Sequence, residues 1–179
     1  MDYSNIIKKS QSDPNYKKEF LNNPKKILKE EGFNLEENQK VFAYEMTDDT
    51  IHLVLPKKTD PIPEELKKHE KYYTLIQKIR SDAELKNKFL ADPKSVLKQE
   101  GIEVPKDEKI QIIVHENTDT ETHLVLFKNQ QGELSDSELA GIAGGGMGSV
   151  LGAMLTAAAD LLANSGRWDP APTKGYEVK

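Results

Sequence analysis

The side chains whose types and spacing are most specific for chemistry run from Leu134 to Gly145. Ser135 followed three residues later by Glu138 forms a capping box, in which hydroxyl and carboxylate each take an unpaired backbone N–H, so a short helix starts at Asp136. Leu134 and Leu139 stand at the two positions of a hydrophobic staple, and Ile142 continues the same apolar face. Gly144 and Gly145 then stop the helix and leave a backbone with no Cβ, able to lie extended in a narrow protease cleft. The chemistry suited to this stretch is hydrolysis: apolar side chains are recognised and a glycine peptide bond is cut.

Elsewhere the sequence offers little with which to catalyse a reaction. It has no cysteine, which removes thiolate nucleophiles, thiolate metal sites and disulfides. His52 and His123 occupy equivalent strand positions that suit hydrogen-bonded structural histidines. His69 lies on a charged helix, and His115 adjoins Glu116. None forms a two-ligand motif with a third group at metal spacing, and no serine sits in a nucleophile elbow. The chain therefore reads as a non-enzyme without cofactor. A net charge of −5 over 179 residues, with no Lys/Arg block, argues against a nucleic-acid partner. Met1 to Ser10 mixes charges with few apolar residues, unlike a secretory signal, so a cytoplasmic precursor is expected.

The elements that position the cut site repeat. Asp13-Pro14 and Asn23-Pro24 each start a helix, Gly32 stops the second, and Val41–Met46 and His52–Leu55 read as strands around a turn at 47–50. Phe20, Leu21, Pro24, Lys25, Leu28, Lys29, Glu31 and Gly32 recur as Phe89, Leu90, Pro93, Lys94, Leu97, Lys98, Glu100 and Gly101 at one constant offset. After a two-residue insertion, Glu45, Thr47, Asp48 and His52–Leu55 recur as Glu116, Thr118, Asp119 and His123–Leu126. This is a tandem duplication. The fold class expected is α+β: two tandem helix-helix-β-hairpin modules (1–58 and 81–132) joined by a linker and one connecting helix (59–80). Ser81 and Glu84 are read as a capping box. A short protease-recognition helix (133–145) and a flexible or helical C-terminal segment (146–179) follow.

Two resemblances bear on function. Phe89-Leu90, Asp92-Pro93, Leu97, Glu100-Gly101-Ile102, Val104-Pro105, Glu116-Asn117-Thr118 and His123–Leu126 resemble the nitrile-hydratase-like leader peptide of proteusin-type precursors, a family similar to part of the nitrile hydratase α subunit. Leu134-Ser135, Glu138-Leu139, Ile142 and Gly144-Gly145 resemble the double-glycine leader ending matured by peptidase-containing ABC transporters. The first implies a leader that recruits modification enzymes: a radical S-adenosylmethionine epimerase, a methyltransferase or an acyltransferase. The second implies that Leu134, Glu138, Leu139 and Ile142 meet a papain-like peptidase, which cuts after Gly145, and that the product is exported. Nitrile hydratase holds its metal through cysteines, so no catalytic site is carried over to this chain.

Residues 146–179 are then the cargo. Val150, Leu151, Met154, Leu155, Ala158, Leu161 and Leu162 keep helical spacing in a Gly/Ala-rich setting, and a mobile tail is expected before maturation. Between Met147 and Asn164 only Asp160 is charged, which suits a membrane-active product better than a stable membrane anchor. Without cysteine the open modifications are backbone epimerisation, methylation at Asn164, or acylation at Lys174 or Lys179. Radical excision at a Tyr-Gly pair does not fit, since Gly175 precedes Tyr176. The alternatives are an unmodified double-glycine bacteriocin precursor and a stand-alone protein-binding module. The second module, contiguous with the cut site, is expected to dock the maturation enzymes, so that deleting Met1–Asp60 should be tolerated.

Overall fold

The structure, a computed structural model, describes residues 3–47 and 49–126 together with Leu155, Ala158, Ala159 and Leu162. Local signals set the helices. Asp13 Oδ1 accepts from the N–H groups of Asn15 and Tyr16 at 2.9 and 3.3 Å and starts α2 (Pro14–Asn22) with proline in its first turn. Pro24 opens α3 (Pro24–Glu30), which ends at Gly32 with φ 92°. There the Phe33 N–H reaches back to Leu28 O at 2.9 Å, taking up a carbonyl the helix leaves unpaired. Gly101 (φ 75°) ends α6 (Pro93–Gln99) in the same way through Ile102 N–H and Leu97 O at 2.8 Å.

The duplication begins earlier than the Phe20/Phe89 match. The helix α1 (Tyr3–Ser12) is the counterpart of α4 (Glu70–Ser81), at the offset that relates Phe20 to Phe89. Tyr3 and Tyr72 are both buried, and Lys9–Glu31 recurs as Lys78–Glu100. So α4, read from the sequence as part of a connecting helix over 64–80, is the first helix of the second unit. A 3-10 turn (Glu64–Lys68) precedes it and is separated from it at His69, whose φ −105°, ψ 69° leaves helical space. The Ser81–Glu84 box does not form. Asp82 takes the cap of α5 (Ala83–Ala91), accepting from Leu85 N–H at 3.0 Å, while Ser81 Oγ donates to Lys78 O inside α4. A carboxylate one residue closer to the helix displaces the hydroxyl.

The architecture is α+β with repeated helix-helix-strand-strand units, but the strands do not form hairpins. The strand β1 (Lys40–Glu45) pairs in parallel with β4 (Glu121–Leu126), in the register Phe42 to His123. The strand β2 (Thr50–Leu55) pairs in parallel with β3 (Gln111–Glu116), in the register His52 to Ile113. Each two-stranded sheet takes one strand from each copy. A tight hairpin needs positive φ at its turn, usually from glycine. The turns at 47–50 and 118–121 carry Thr and Asp, and the positive-φ glycines among the described residues are Gly32 and Gly101. These turns close through Thr47 N–H to Thr50 O (3.1 Å) and Thr118 N–H to Glu121 O (2.9 Å), and carry the chain from one sheet to the other.

The helices cover one face of each sheet. Tyr3, Ile6, Phe20, Ile27, Leu28 and Phe33 of the first copy enclose Leu124 and Leu126 of the second. Leu75, Ile76, Phe89, Val96 and Leu97 of the second copy enclose Ile51, Leu53 and Leu55 of the first, with Ile112 and Val114. The opposite sheet faces meet each other, giving four layers, α/β/β/α, in which each helical layer covers one strand from its own copy and one from the other. No helix among the described residues is long and apolar enough to cross a membrane.

Candidate functional site

Strand alternation puts Phe42, Tyr44, His52, Ile113, His115 and His123 on the faces turned away from the helices. The rings of Phe42, Tyr44, His52, His115 and His123 stack between the sheets. Tyr44 lies 3.8 Å from His115, centroid to centroid, at an interplanar angle of 11°, and His52 and His123 flank the pair at 5.0 and 5.8 Å from Tyr44. The array follows the duplication: Tyr44 and His115 are counterparts, as are His52 and His123, and Phe42 and Ile113 stand exposed at matching outer positions. Tyr44 Oη meets His123 Nδ1 at 3.0 Å, and His52 Nδ1 meets His115 Nε2 at 3.0 Å. The phenol can donate to a neutral imidazole. In the neutral His52–His115 pair, one ring donates and the other accepts.

Burial holds these imidazoles neutral. It lowers the pKa of His115 to about 4, with His123 and His52 adding to the effect. Burial also lowers His52, and lowers His123 against the opposing pull of Glu121. Because the folded state resists a proton that the unfolded chain accepts near its ordinary value, stability is full above about pH 6.5 and lost as pH falls toward 4. A loss of roughly 1–2 kcal/mol between pH 7.5 and 5 is expected for these half-buried rings, after allowance for solvent screening. Urea midpoints should thus fall across that interval and stay level from pH 7.5 to 8.5. A midpoint unchanged at pH 5 would show that the stack is not proton-sensitive.

A second feature lies where the end of β2 meets α4. A pocket of about 290 Å³ has an apolar floor of Leu55, Pro56, Ile76 and Ile79 and a rim that includes Lys57, Lys58, Arg80 and Lys86. Arg80 Nη2 donates to the carbonyls of Lys57 and Asp60, which folds the inter-copy linker over α4. Lys86 pairs with Glu116 at 2.8 Å, the counterpart of Lys17 with Glu45 at 2.8 Å. Asn117 is 3% exposed at the pocket edge, and its Oδ1 accepts from His123 N–H at 2.7 Å. Its counterpart Met46 accepts from His52 N–H through sulfur at 3.3 Å. The rim also carries Glu116 and Asp119, which pair with Lys86 and Lys57, so its charges are largely balanced.

The sequence-predicted site residues fall elsewhere. Leu134, Glu138, Leu139, Ile142, Gly144, Gly145, Asn164, Lys174 and Lys179 all lie outside the described residues. Of residues 146–179, Leu155, Ala158, Ala159 and Leu162 are described: each is helical, and they are 3%, 2%, 2% and 1% exposed within the second core. At these four the helical alternative expected for the C-terminal segment holds, with the second core as apolar partner, and the rest of the segment lies outside the described residues. The ring stack was not foreseen. The equivalence of His52 and His123 was legible, but His115 joins them only through pairing between copies. The Tyr3/Tyr72 and Asp13/Asp82 matches would have revealed the full repeat.

No protein-family model and no curated protein matches the chain. Among solved structures it is similar to a double His-to-Ala mutant of the Fe-type nitrile hydratase from Comamonas testosteroni Ni1. The TM-score is 0.52 and the identity 18%, covering 84% of this chain and 69% of that one. The residues present do not fit a metal centre of that kind. The chain has no cysteine, His52, His115 and His123 bond to one another or to Tyr44, and the described residues contain no group of three His, Cys, Asp or Glu able to hold a metal ion. At this identity the likeness is one of architecture, and the duplicated α+β unit takes a nitrile-hydratase-like fold.

Proposed function

We propose that the chain is a proteusin-like precursor of a ribosomally synthesised, post-translationally modified peptide. The duplicated unit is a leader that docks modification enzymes, and a papain-like transporter peptidase removes it after Gly145. The observation that carries this reading is a nitrile-hydratase-like fold with no cysteine, followed after β4 by the Leu134–Gly145 pattern. A stripe of Leu134, Leu139 and Ile142 buries apolar side chains in the peptidase, each contributing roughly 1.5–3 kcal/mol. Leu139→Ala should therefore slow cleavage about ten- to a hundredfold in a timed digest with the cognate peptidase domain. Equal rates for variant and parent would remove the recognition role. A second reading, a stand-alone binding module, is favoured by one observation: Leu155, Ala158, Ala159 and Leu162 pack as core residues.

A further inference from the structure

The four described cargo residues reconcile packing with release. Leu155, Ala158, Ala159 and Leu162, each helical, stand at i, i+3, i+4 and i+7, the spacing of one helix face, and all four belong to the core cluster that includes Leu66, Tyr72, Leu75, Ile76 and Ile79. The first core holds no comparable guest among its described residues. The helices that line the two cores also differ at matched positions: Ile79 in α4 stands where α1 has Ser10. Within a duplicated fold, the second core is the more apolar at this matched position and holds four additional apolar side chains.

We propose that the second helical layer is a receptor for the cargo helix and retains it non-covalently after the leader bond is cut. The inference rests on the leader–cargo reading. It separates two events which that reading alone treats as one: scission frees the peptide bond, and a further step must strip the helix from its apolar site. The receptor and its occupant belong to the same chain, so before cleavage the effective concentration is high and docking needs little intrinsic affinity. Retention afterwards requires that affinity to be real.

The test uses the full chain with a heterologous protease site inserted between Gly145 and Gly146, so the result does not depend on the double-glycine assignment. After complete cutting at low micromolar concentration, peptide 146–179 should co-elute with the leader on gel filtration. Leu162→Asp places a charge in the apolar site and should weaken retention about a hundredfold or more, moving the peptide to the free fraction. In that variant the leader should keep its far-ultraviolet spectrum and cooperative melting. Free elution of the unsubstituted peptide would overturn the proposal, as would retention undiminished by Leu162→Asp. Loss of the leader's own fold once the peptide is displaced would also overturn it, because the helix would then be a permanent part of the core. Failure of the cognate peptidase to cut after Gly145 would count against the leader reading and leave the gel-filtration result standing.

Discussion

Produced separately, fragments 1–58 and 59–126 should each fail to fold, and mixed together they should recover a cooperative thermal transition. Fragment 1–58 lacks β4, and with it Leu124 and Leu126, which are 0% and 7% exposed in the core under α1–α3. It also lacks β3, the partner of β2 in its sheet among the described residues. Fragment 59–126 loses Ile51, Leu53 and Leu55, which are 0%, 0% and 2% exposed under α4–α6. At roughly 1.5–3 kcal/mol for each buried side chain, two losses in fragment 1–58 and three in fragment 59–126, each added to an unpaired strand, are comparable with a domain's net stability of about 5–15 kcal/mol. Circular dichroism with heating reads the outcome. A cooperative transition in fragment 1–58 alone would refute the mutual dependence of the copies. The same physics revises the expectation that the second module can work alone: under the proposed function, deletion of Met1–Asp60 should abolish modification in co-expression, because it unpairs β3 and β4 rather than removing a spare domain.

Replacing Gly145 by leucine should stop cleavage while leaving peptidase binding near the parent level. In the proposed function the apolar stripe supplies affinity, and the glycine pair supplies a backbone narrow enough to enter the cleft. A Cβ and isobutyl group at the cut position obstruct the second role and leave the first intact. Binding measured by titration should change less than about threefold, whereas turnover should fall by at least about a thousandfold, a difference near 4 kcal/mol in transition-state stabilisation. Mass spectrometry of the digest gives the decisive reading. Release of a peptide beginning at Gly146 from Gly145→Leu at the parent rate would end the double-glycine assignment and the division into leader and cargo.

The legible parts of this protein are those written in neighbouring residues. Asp13 before Pro14, Asn23 before Pro24 and the positive-φ glycines at 32 and 101 act over three to five positions. Most helix starts and stops could therefore be read, with three corrections: Asp82 for Ser81 at the α5 cap, a 3-10 turn split from α4 at His69, and α1 as the counterpart of α4, which moves the start of the repeat to Tyr3. Strand alternation was legible for the same reason. Strand partnership was not, since two copies with nearly the same pattern satisfy hairpin and exchanged pairing alike by hydrophobic alternation. The hint against hairpins was negative, the missing glycine at 47–50 and 118–121.

The sequence by itself determined the α+β class, the duplication, the absence of thiolate chemistry and the pattern at Leu134–Gly145. Tertiary structure alone decided that β1 joins β4 and β2 joins β3, that Tyr44 and three histidines from both copies share one stack, and that Leu155, Ala158, Ala159 and Leu162 enter the second core. The reason is range. Caps, turns and periodicity are fixed by a few adjacent side chains, whereas pairing and docking depend on which apolar surfaces remain uncovered once every local element has formed.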